Sequence, residues 1–321
     1  MLEAIKKALV SSSKRSALLK TVLWRFLALK DIMLCSVPDE RYVSRMCRKH
    51  LGYIPDLRNP RTLNEKINWL KLNRETELIV QCADKYRVRD YVAERIGNDC
   101  LVPLLLVTEN PAELTPENIR TEAFVVKTNH ASGGITFVRD KSNADWRKIR
   151  RKTASELRRN HYYRGRSRHY RDIQRKILVE KMLLDENGNI PEDYKFHCFN
   201  GNVRFIQVDL GRHTAHKRNL YSPTWELLPF ELKLENGPAV ARPSRLGDML
   251  RIAEILSDAF VFARIDLYCV GGNIYFGEIT FHPGSGFEPF RPEAWDSILG
   301  EALTLPIDRD ETKAPPRTRR G

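Results

Sequence analysis

The sequence lacks any apolar run long enough to cross a membrane, since a spanning helix needs ~20 apolar residues. The best candidate, residues 21–34, is interrupted by Arg25, Lys30 and Asp31. Basic residues also interrupt the segment before it, so no signal peptide is predicted. The six cysteines include no Cys-x-x-Cys pair and no compact group, which predicts reduced thiols and a cytoplasmic protein.

Several common catalytic signatures are also absent. The sequence has no GxxxxGK(S/T) phosphate loop, no GxGxxG dinucleotide fingerprint and no GxSxG nucleophile elbow. The histidines and cysteines show no metal-ligand spacing. Gly and Pro number only 17 each, which excludes collagen-like and low-complexity chains. A hydrophobic content of 42% excludes wholesale disorder and predicts two packed units or one multi-lobed enzyme.

Positive charge is concentrated in two segments. The formal net charge is +13; residues 147–176 carry +11, residues 1–30 carry +6, and the remainder carries −4. Such segments suit phosphates, nucleic acid, anionic lipid or an acidic polymer. Residues 1–30 are predicted to form a basic amphipathic helix that either packs on the body or contacts a membrane peripherally. His161 and His169 are expected in the solvated part of the second segment.

The elements predicted from the sequence are those of an α+β protein. Thr62 and Glu65 form a capping box that starts a helix, and a second helix runs from near Asp84 to Gly97. Helices are also expected near 244–260 and 293–303, and residues 307–321 are expected to be disordered. Short strands, most of them paired as hairpins, are predicted at 123–127, 135–138, 177–182, 193–199, 202–209, 263–269 and 273–280.

A lysine and a glycine loop form the first candidate site. Lys127 ends a strand, and the loop after it presents the backbone N–H groups of Ser132, Gly133 and Gly134. Backbone N–H groups without bulky side chains approach anionic oxygens closely, so the loop suits phosphate. A purely structural Gly-Gly hairpin is the alternative.

Two further strands carry polar residues that suit a nucleotide cleft. An apolar strand ends in Glu180 and Lys181, and its edge suits an adenine ring; the alternative is an ordinary strand with a solvated end. On the next strand, Asp193, Lys195 and His197 share one face, which predicts either a cleft wall or a solvated sheet surface.

The third candidate site is a pair of carboxylates. Alternation places Arg264 and Asp266 on one strand face, and a hairpin turning at 271–272 brings Asp266 close to Glu278. Two inward carboxylates are costly unless a cation compensates them. Mg²⁺ held by carboxylates and nucleotide phosphates is the favoured explanation, and a buried Arg–Asp–Glu ion network is the alternative.

The order of these motifs resembles the ATP-grasp superfamily, in which the nucleotide lies between two α+β lobes. The chain is most similar to the TupA-like ATP-grasp family, which is linked to teichuronopeptide and other surface-polysaccharide biosynthesis. The resemblance covers residues 59–286 and rests on the stretches NPRTLNEKINWLKL, ADKYRVRDYV, VVKTNHASGG, ILVEKM, DYKFHCFNG, RIDLY and IYFGEITFHPGSG. It implies an α+β ATP-grasp fold. The chain departs from the superfamily before these lobes, because its N-terminal region is predicted from the residues to be mostly helical and shows no obvious Rossmann-like lobe.

The implied organisation has five parts. They are a helical basic N-terminal region (1–58), a helical or linker part of the N-terminal lobe (59–120), a small lobe with the basic insertion 147–176 (121–185), a large lobe with the metal site (186–306) and a disordered basic tail (307–321).

The resemblance also implies roles for single residues, with ATP and Mg²⁺ as cofactors. Nucleotide contacts are implied for Lys85, Lys127, Ser132, Gly133, Gly134, Glu180, Lys181, Met182 and Asp193. The implied metal ligands are Asp266, Glu278 and Thr280. Thr280 stands where the wider superfamily has asparagine, and its hydroxyl can also bind Mg²⁺. The predicted catalytic residues are Arg264 at the acyl phosphate, Lys217 at the γ-phosphate, and Lys195 on the cleft wall.

The implied activity is carboxylate–amine ligation through an acyl phosphate. The implied substrates are an amino acid or amine and an acidic glycan or uronic-acid sugar. Peripheral membrane contact through residues 1–30 is one of the two alternatives that their own basic amphipathic pattern suggests. Substrate contacts are predicted for Arg164, Arg166, Arg168, Arg212, Arg218 and Ser285. The alternatives are a polysaccharide-biosynthesis kinase or glycosyltransferase-like enzyme, and a nucleic-acid or polyanion-binding module with a vestigial ATP site. No nucleic acid is expected as a partner, because residues 147–176 contain no recognised nucleic-acid module.

Overall fold

The computed structural model describes residues 36–131, 133–211 and 216–307. The predicted basic helix at 1–30 and residues 308–321 of the predicted tail lie outside the described residues, as do Ser132 and Arg212. Within the described ranges, no helix is both long and apolar enough to cross a bilayer.

The described chain begins with four helices, α1 (Asp39–Leu51), α2 (Leu63–Asn73), α3 (Glu77–Ala83) and α4 (Val88–Ile96). The predicted capping box is confirmed: the Thr62 hydroxyl accepts from Glu65 N, and Glu65 Oε2 accepts from Thr62 N at 3.1 Å. α4 ends at Gly97 as predicted, with φ +87°. The helix expected to begin near Asp84 begins instead at Val88, because Asp84 ends the preceding helix α3 and its carboxylate accepts from Tyr86 N.

A four-stranded antiparallel sheet follows, in the order β1-β4-β2-β3. Its strands are β1 (Leu104–Thr108), β2 (Phe124–Thr128), β3 (Thr136–Val138) and β4 (Ile177–Lys181). Helix α5 (Trp146–Leu157) covers one face, where Ile149 packs with Phe124 and Val126. Because side chains alternate along a strand, Val125 and Lys127 lie on the opposite face. β1 was not predicted, because its apolar run LLLVT does not alternate.

The second sheet has five antiparallel strands in the order β10-β9-β5-β6-β7. They are β5 (Asp193–Phe199), β6 (Asn202–Leu210), β7 (Lys217–Tyr221), β9 (Phe262–Val270) and β10 (Asn273–Thr280). The turn between β5 and β6 is confirmed, with φ 48° at Asn200 and 81° at Gly201, as a two-residue type I′ hairpin requires. Helices α4 and α7 (Leu246–Ser257) pack on one face of the sheet, and its polar face points the other way.

Short elements complete the chain. A helical turn α6 (Tyr162–Gly165) follows α5, the strands β8 (Glu231–Leu232) and β11 (Phe290–Arg291) pair with each other, and α8 (Ala294–Glu301) comes last. α8 packs on α2, where Asn64 Nδ2 donates to Asp296 Oδ2 at 3.0 Å and Lys66 Nζ donates to Gly300 O at 2.7 Å.

The prediction that His169 is solvated is wrong. His169 is 3% exposed, and its ring stacks on His282 with a 5.0 Å centroid distance. The chain after α6 folds back against α2 and the loop that follows β10, so it is not a solvated helix. In the same contact, the buried Lys71 donates to Asn68 Oδ1 at 2.7 Å and to Ser285 O at 2.5 Å.

Candidate active site

A cavity of about 640 Å³ lies between the two sheets. Strands β2 and β4 form one wall and strands β5, β6, β9 and β10 form the other. Of the residues predicted for the site, it is lined by Lys85, Lys127, Gly133, Glu180, Lys181, Met182, Asp193, Lys195, Arg264, Asp266 and Glu278. The topology therefore brings residues from six of the seven sequence stretches quoted above into one space.

The wall from the first sheet combines one ion pair with apolar side chains. Lys127 Nζ lies 2.6 Å from Glu180 Oε2, and both side chains are largely buried. Alternation places the two residues on the cavity face of neighbouring strands, where Glu180 pairs in register with Val125. Beside the ion pair, Met182 and the half-exposed Phe137 supply apolar surface. An apolar wall beside a polar ion pair suits a flat heteroaromatic ring.

Asn129 fastens the start of the glycine loop. Its Nδ2 donates to Asp84 Oδ1 at 2.9 Å and to Gln174 O at 2.8 Å, and its Oδ1 accepts from Lys176 N at 2.7 Å. Lys85 reaches the same loop, with its backbone N–H donating to Asn129 O and its Nζ donating to Ala131 O, both at 3.0 Å.

The loop itself continues through two glycines in the left-handed region, Gly133 at φ +89° and Gly134 at φ +71°. A Cβ at Gly134 would lie 3.1 Å from the side chain of Glu156 on α5. Gly133 faces the cavity, whereas Gly134 sits against α5 and is not one of its lining residues.

The predicted pairing of the two carboxylates is confirmed, because Glu278 lies directly opposite Asp266 on β10 and β9. Arg264 joins them: its Nε donates to Asp266 Oδ1 at 2.7 Å, and its Nη2 donates to Asp266 Oδ2 at 2.8 Å and to Glu278 Oε1 at 3.1 Å. The same Nη2 donates to Thr280 Oγ1 at 3.0 Å, and the Thr280 hydroxyl donates to Glu278 Oε1. One cationic nitrogen is thus surrounded by oxygens from three side chains.

A β-bulge sets the position of Glu278. The strand register shifts between Phe276 and Glu278, so Gly277 is the extra residue. A Cβ at Gly277 would lie 3.0 Å from both Asp266 O and the Tyr268 ring. Only glycine permits this close approach of β9 and β10 without a shift of one of them.

Burial and the neighbouring positive charges shift the pKa values of these two carboxylates in opposite directions. Burial raises the pKa of Asp266 above its ordinary value, and the charges of Arg264 and Lys195 limit that rise. Burial would also raise the pKa of Glu278, but Lys85 and Arg264 outweigh it and hold that pKa well below its usual range. Glu278 is therefore ionised throughout the physiological pH range. Burial in turn lowers the pKa of Lys85, and the adjacent Glu278 more than reverses that effect.

Lys195 lies among three carboxylates on the polar face of the second sheet. Its Nζ contacts Asp193, and it lies 3.6 Å from Asp266 Oδ2 and 3.8 Å from Asp209 Oδ2. All four side chains are less than 10% exposed. The alternative of a solvated sheet surface is therefore wrong, since this face forms a cavity wall. His197 lies deeper, where it contacts Gln207 Oε1 at 3.0 Å.

Four predicted residues of the second sheet and the loop after it do not line the cavity. Lys217 Nζ lies 2.5 Å from Glu235 Oε2, and Arg218 Nε lies 2.7 Å from Asp209 Oδ1. Thr280 lies behind Glu278, and Ser285 adopts φ +59° in the loop after β10. Arg218 is buried, so it supports Asp209 from behind.

The prediction that Arg166 contacts the substrate is wrong. Its side chain is 1% exposed, its Nε lies 3.6 Å from Asp39 Oδ1, and its guanidinium lies over the Tyr42 ring. Arg168 also pairs with Asp39, at 3.0 Å, and keeps partial exposure. Arg164 is exposed. Arg166 thus binds the segment after α6 to helix α1.

Sequence reasoning missed Asp209 and Gly277 as residues of the cavity wall. Asp209 shares the face of Gln207 at the end of a strand that was predicted, so alternation alone could have identified it. Gly277 carries no signal in a single sequence, because a bulge becomes visible only in the strand register.

Comparison with known proteins supports the motif assignments at family level. A family model described as TupA-like ATPgrasp matches residues 65–304. No curated protein matches the chain.

Similar solved structures include three ligases. D-alanine–D-alanine ligase from Bacillus anthracis, complexed with ATP, has 18% identity over 63% of this chain and 55% of that chain, with a TM-score of 0.36. D-alanine–D-alanine ligase from Helicobacter pylori has 15% identity over 76% and 69%, with a TM-score of 0.40. The VanG D-Ala:D-Ser ligase from Enterococcus faecalis has 14% identity over 63% and 52%, with a TM-score of 0.40. The chain therefore spans about half the length of the first and third of these ligases.

Proposed function

Because the chain belongs to the TupA-like ATP-grasp family and has its α+β fold, we propose that it is an ATP-dependent ligase that joins a carboxylate to an amine. One observation carries the proposal. Lys85, Lys127 and Arg264 converge with Asp266 and Glu278 on a single cavity between the two sheets. Three cations and two carboxylates suit a polyphosphate with its metal ion, because phosphoryl transfer depends mainly on positioning and charge neutralisation.

The donor set around Arg264 Nη2 fits Mg²⁺. Oxygens of Asp266, Glu278 and Thr280 lie within 3.1 Å of one point that a cationic nitrogen now fills. Carboxylate and hydroxyl oxygens are hard ligands, and Mg²⁺ in proteins is usually held by one or two carboxylates together with substrate phosphates. When bound, Mg²⁺ would neutralise phosphate charge next to Asp266 and Glu278. The Thr280 hydroxyl, which donates to Glu278 at 2.8 Å, would orient that carboxylate.

The remaining charged residues would bind and orient the reactants. Lys127 and Lys85 flank the glycine loop and would neutralise phosphate oxygens. Arg264 projects between the carboxylates and would stabilise negative charge that develops on the activated acyl group. Lys195 would add a cation on the opposite wall. Glu180, at the end of β4, would accept from the amino group of adenine.

The proposed chemistry has two balanced steps. A carboxylate oxygen attacks the γ-phosphorus of ATP, the bond to the β-phosphate oxygen breaks, and ADP leaves with that electron pair. The amine nitrogen then attacks the acyl carbon, inorganic phosphate leaves, and the nitrogen loses a proton to give the amide. Neither step requires a nucleophilic side chain from the protein, in keeping with the absence of a GxSxG elbow from the sequence.

We further propose that the carboxylate is a uronic-acid residue of an acidic surface glycan and that the amine is an amino acid. The resemblance to a surface-polysaccharide family supports this choice, and so does the concentration of +11 net charge in residues 147–176. Exposed Arg164 and partly exposed Arg168 remain the proposed contacts near α6. Ser285, Arg218 and Arg212 stay proposals for the same substrate.

A coupled assay tests the reaction class. The full chain is incubated with Mg-ATP, galacturonate and a panel of amino acids, and both ADP release and product mass are measured. ADP together with an amide product supports the ligase. A phosphorylated sugar formed without an amine would replace the ligase with a kinase. The absence of any nucleotide effect on thermal unfolding would contradict both ATP-dependent activities.

A further inference from the structure

The outer surface of α5 carries an unusual excess of cations. Glu156 is the one carboxylate within the helix; it is 8% exposed and pairs with Arg159 at 2.6 Å. The residues that are basic and exposed on and just after α5 are Arg147, Lys148, Arg151, Lys152, Arg158 and Arg159. The solvent side of this helix is therefore positive along its whole length.

Two of these cations already have protein partners. Lys152 Nζ donates to Ile135 O at 2.7 Å and to Thr136 Oγ1 at 2.9 Å, and Arg159 pairs with Glu156. Among the described residues, the side chains of Arg147, Lys148, Arg151 and Arg158 have no ion-pair or hydrogen-bond partner. We call these four the α5 stripe.

The α5 stripe is unfavourable for the isolated helix. Arg147 and Arg151 stand four residues apart, as do Lys148 and Lys152, and each such like-charge pair destabilises a helix by about 0.2–0.5 kcal/mol. Arg147 and Lys148 also lie in the first turn, where the helix dipole disfavours positive charge. A bound polyanion removes both penalties, whereas a solvated helix face gains nothing from this arrangement.

The dimensions of the stripe select a polymer over a small anion. Its residues extend from 147 to 158, which corresponds to about 16 Å along the helix axis at 1.5 Å per residue. A single monosaccharide carboxylate cannot contact cations so far apart. A chain of regularly spaced carboxylates can contact several of them at once.

The chemistry of the solvent side of α5 itself distinguishes among polyanions. The helix presents no exposed aromatic ring on which a base could stack, since Trp146 is half-buried against Phe124 at a 5.7 Å centroid distance. It also presents no large exposed apolar side chain to enter a lipid interface, because the inward face supplies Ile149 and Leu157 to the core. Recognition by charge alone fits a polyuronate best.

The location of the stripe makes it separate from the cavity. α5 packs on the face of the first sheet opposite Lys127, and its last turn meets the glycine loop through Glu156 and Gly134. We propose that the α5 stripe is an exosite that holds an acidic polysaccharide outside the cavity. Held there, the polymer presents one of its carboxylates to the cavity at a raised local concentration. The exosite rests on the proposed function for its substrate class.

A binding measurement tests the exosite without any turnover. Fluorescein-labelled polygalacturonate is titrated with the full chain, and fluorescence anisotropy is followed at low salt and at 0.2 M NaCl. The double variant Arg147→Glu/Arg151→Glu is compared with Arg41→Glu/Arg45→Glu on α1, a matched pair of exposed arginines with the same spacing. We expect the α5 variant to raise Kd by about tenfold or more and to weaken the salt dependence, and the α1 variant to change Kd by less than about twofold.

Equal losses of polygalacturonate affinity in the α5 and α1 variants would overturn the exosite, because they would reflect the net charge of the protein alone. It would also be overturned if a labelled single-stranded oligonucleotide or phosphatidylglycerol vesicles bound more tightly than the polymer through the same residues. Circular dichroism checks that the α5 variant is folded. The variant Arg147→Gln/Arg151→Gln only neutralises the two charges, so its Kd should lie between those of wild type and the folded α5 variant.

A kinetic measurement separates the exosite from the ligase proposal. In the ligase assay, the α5 variant should raise KM for polygalacturonate and leave KM for free galacturonate and for ATP unchanged. Amide formation with equal KM for polymer in wild type and variant would contradict the exosite alone. No amide from any uronic acid, with selective loss of polymer binding in the α5 variant, would contradict the proposed function alone.

Discussion

Lys85 Nζ lies 3.1 Å from Glu278 Oε2, and the same ammonium donates to Ala131 O of the glycine loop at 3.0 Å. One side chain therefore connects the turn between α3 and α4, the glycine loop and strand β10. It links the parts that would hold the phosphates to the part that would hold the metal ion.

Replacing this lysine should impair nucleotide binding more than stability. In Lys85→Met the loop loses its contact and Glu278 loses one of its two neighbouring cations, so we expect KM for ATP to rise about tenfold or more. Isothermal titration with ADP and Mg²⁺ measures the effect on binding. Lys176→Met is the matched control, since it also removes a lysine from an ion pair, that with Glu109, outside the cavity. Equal losses in the two variants would contradict the role assigned to Lys85.

The two carboxylates should be needed for metal binding as well as for turnover. Asp266→Asn and Glu278→Gln keep the side-chain shape and remove one ligand charge each, so we expect turnover to fall by about 100-fold or more. Binding of Mn²⁺ in the presence of ADP, measured by electron paramagnetic resonance, gives a readout independent of turnover. Asp258→Asn, at an exposed aspartate paired with Arg95, serves as the control. Unchanged Mn²⁺ affinity in both site variants would show that the metal ligands lie elsewhere.

The bulge at Gly277 should be required for the site geometry. In Gly277→Ala the new Cβ would meet Asp266 O and the Tyr268 ring at 3.0 Å, so β10 must shift. We expect a loss of about 1–3 kcal/mol in the free energy of unfolding and a lower kcat. Gly247→Ala in α7 has no atom within 4 Å of its Cβ and should instead stabilise the protein by about 0.5–1 kcal/mol. Urea unfolding compares the two, and a stabilised Gly277→Ala would disprove the packing argument.

Arg166 should contribute to stability and not to substrate affinity. Arg166→Met removes a buried cation beside Asp39 and Tyr42, and breaking a buried pair costs about 3 kcal/mol. Arg164→Met, at the exposed neighbour, should change the free energy of unfolding by less than about 0.5 kcal/mol. Urea unfolding of both variants checks the difference. A rise in KM for a uronic acid in folded Arg166→Met would instead restore this residue to the substrate site.

Lys71 should give the protein a stability that rises with pH. Burial lowers the pKa of Lys71 from 10.5 to about 7 in the folded protein. Between these values the unfolded chain binds more protons than the folded one, so the free energy of unfolding increases as the pH rises from about 7 towards 10. Urea unfolding of wild type and Lys71→Met is compared at pH 7, 8 and 9. The free energy of unfolding of wild type should increase relative to that of the variant with each rise in pH. A constant difference would mean that Lys71 stays charged when buried.

Alternation and turn chemistry were enough to predict which side chains of the second sheet share a face, but they left open whether that face lines a cavity or meets solvent. Asn200 and Gly201 fix the β5–β6 hairpin, and the two-residue period then decides which side chains face the cleft. The opposition of Asp266 and Glu278 did not follow from the hairpin alone, because the register of the turn would place Gly277 opposite Asp266 and only the bulge moves Glu278 there. The bulge at Gly277 was the one departure on these two strands.

The segment after α5 could not be predicted in the same way. Its composition indicates solvent exposure, but Arg166 and His169 are buried by α1, α2 and the loop after β10. The partner of Arg166, Asp39, lies far away in sequence, and strands β1, β2 and β3 come between the two residues. A buried ion pair of this kind depends on the tertiary fold, and no local periodicity indicates it.

Asn129 has one more consequence. Its backbone and side-chain groups are engaged with Lys85, Asp84, Gln174 and Lys176. Any rearrangement of the glycine loop that keeps these hydrogen bonds must therefore begin beyond residue 129, and it would leave the register of strands β2 and β4 unchanged.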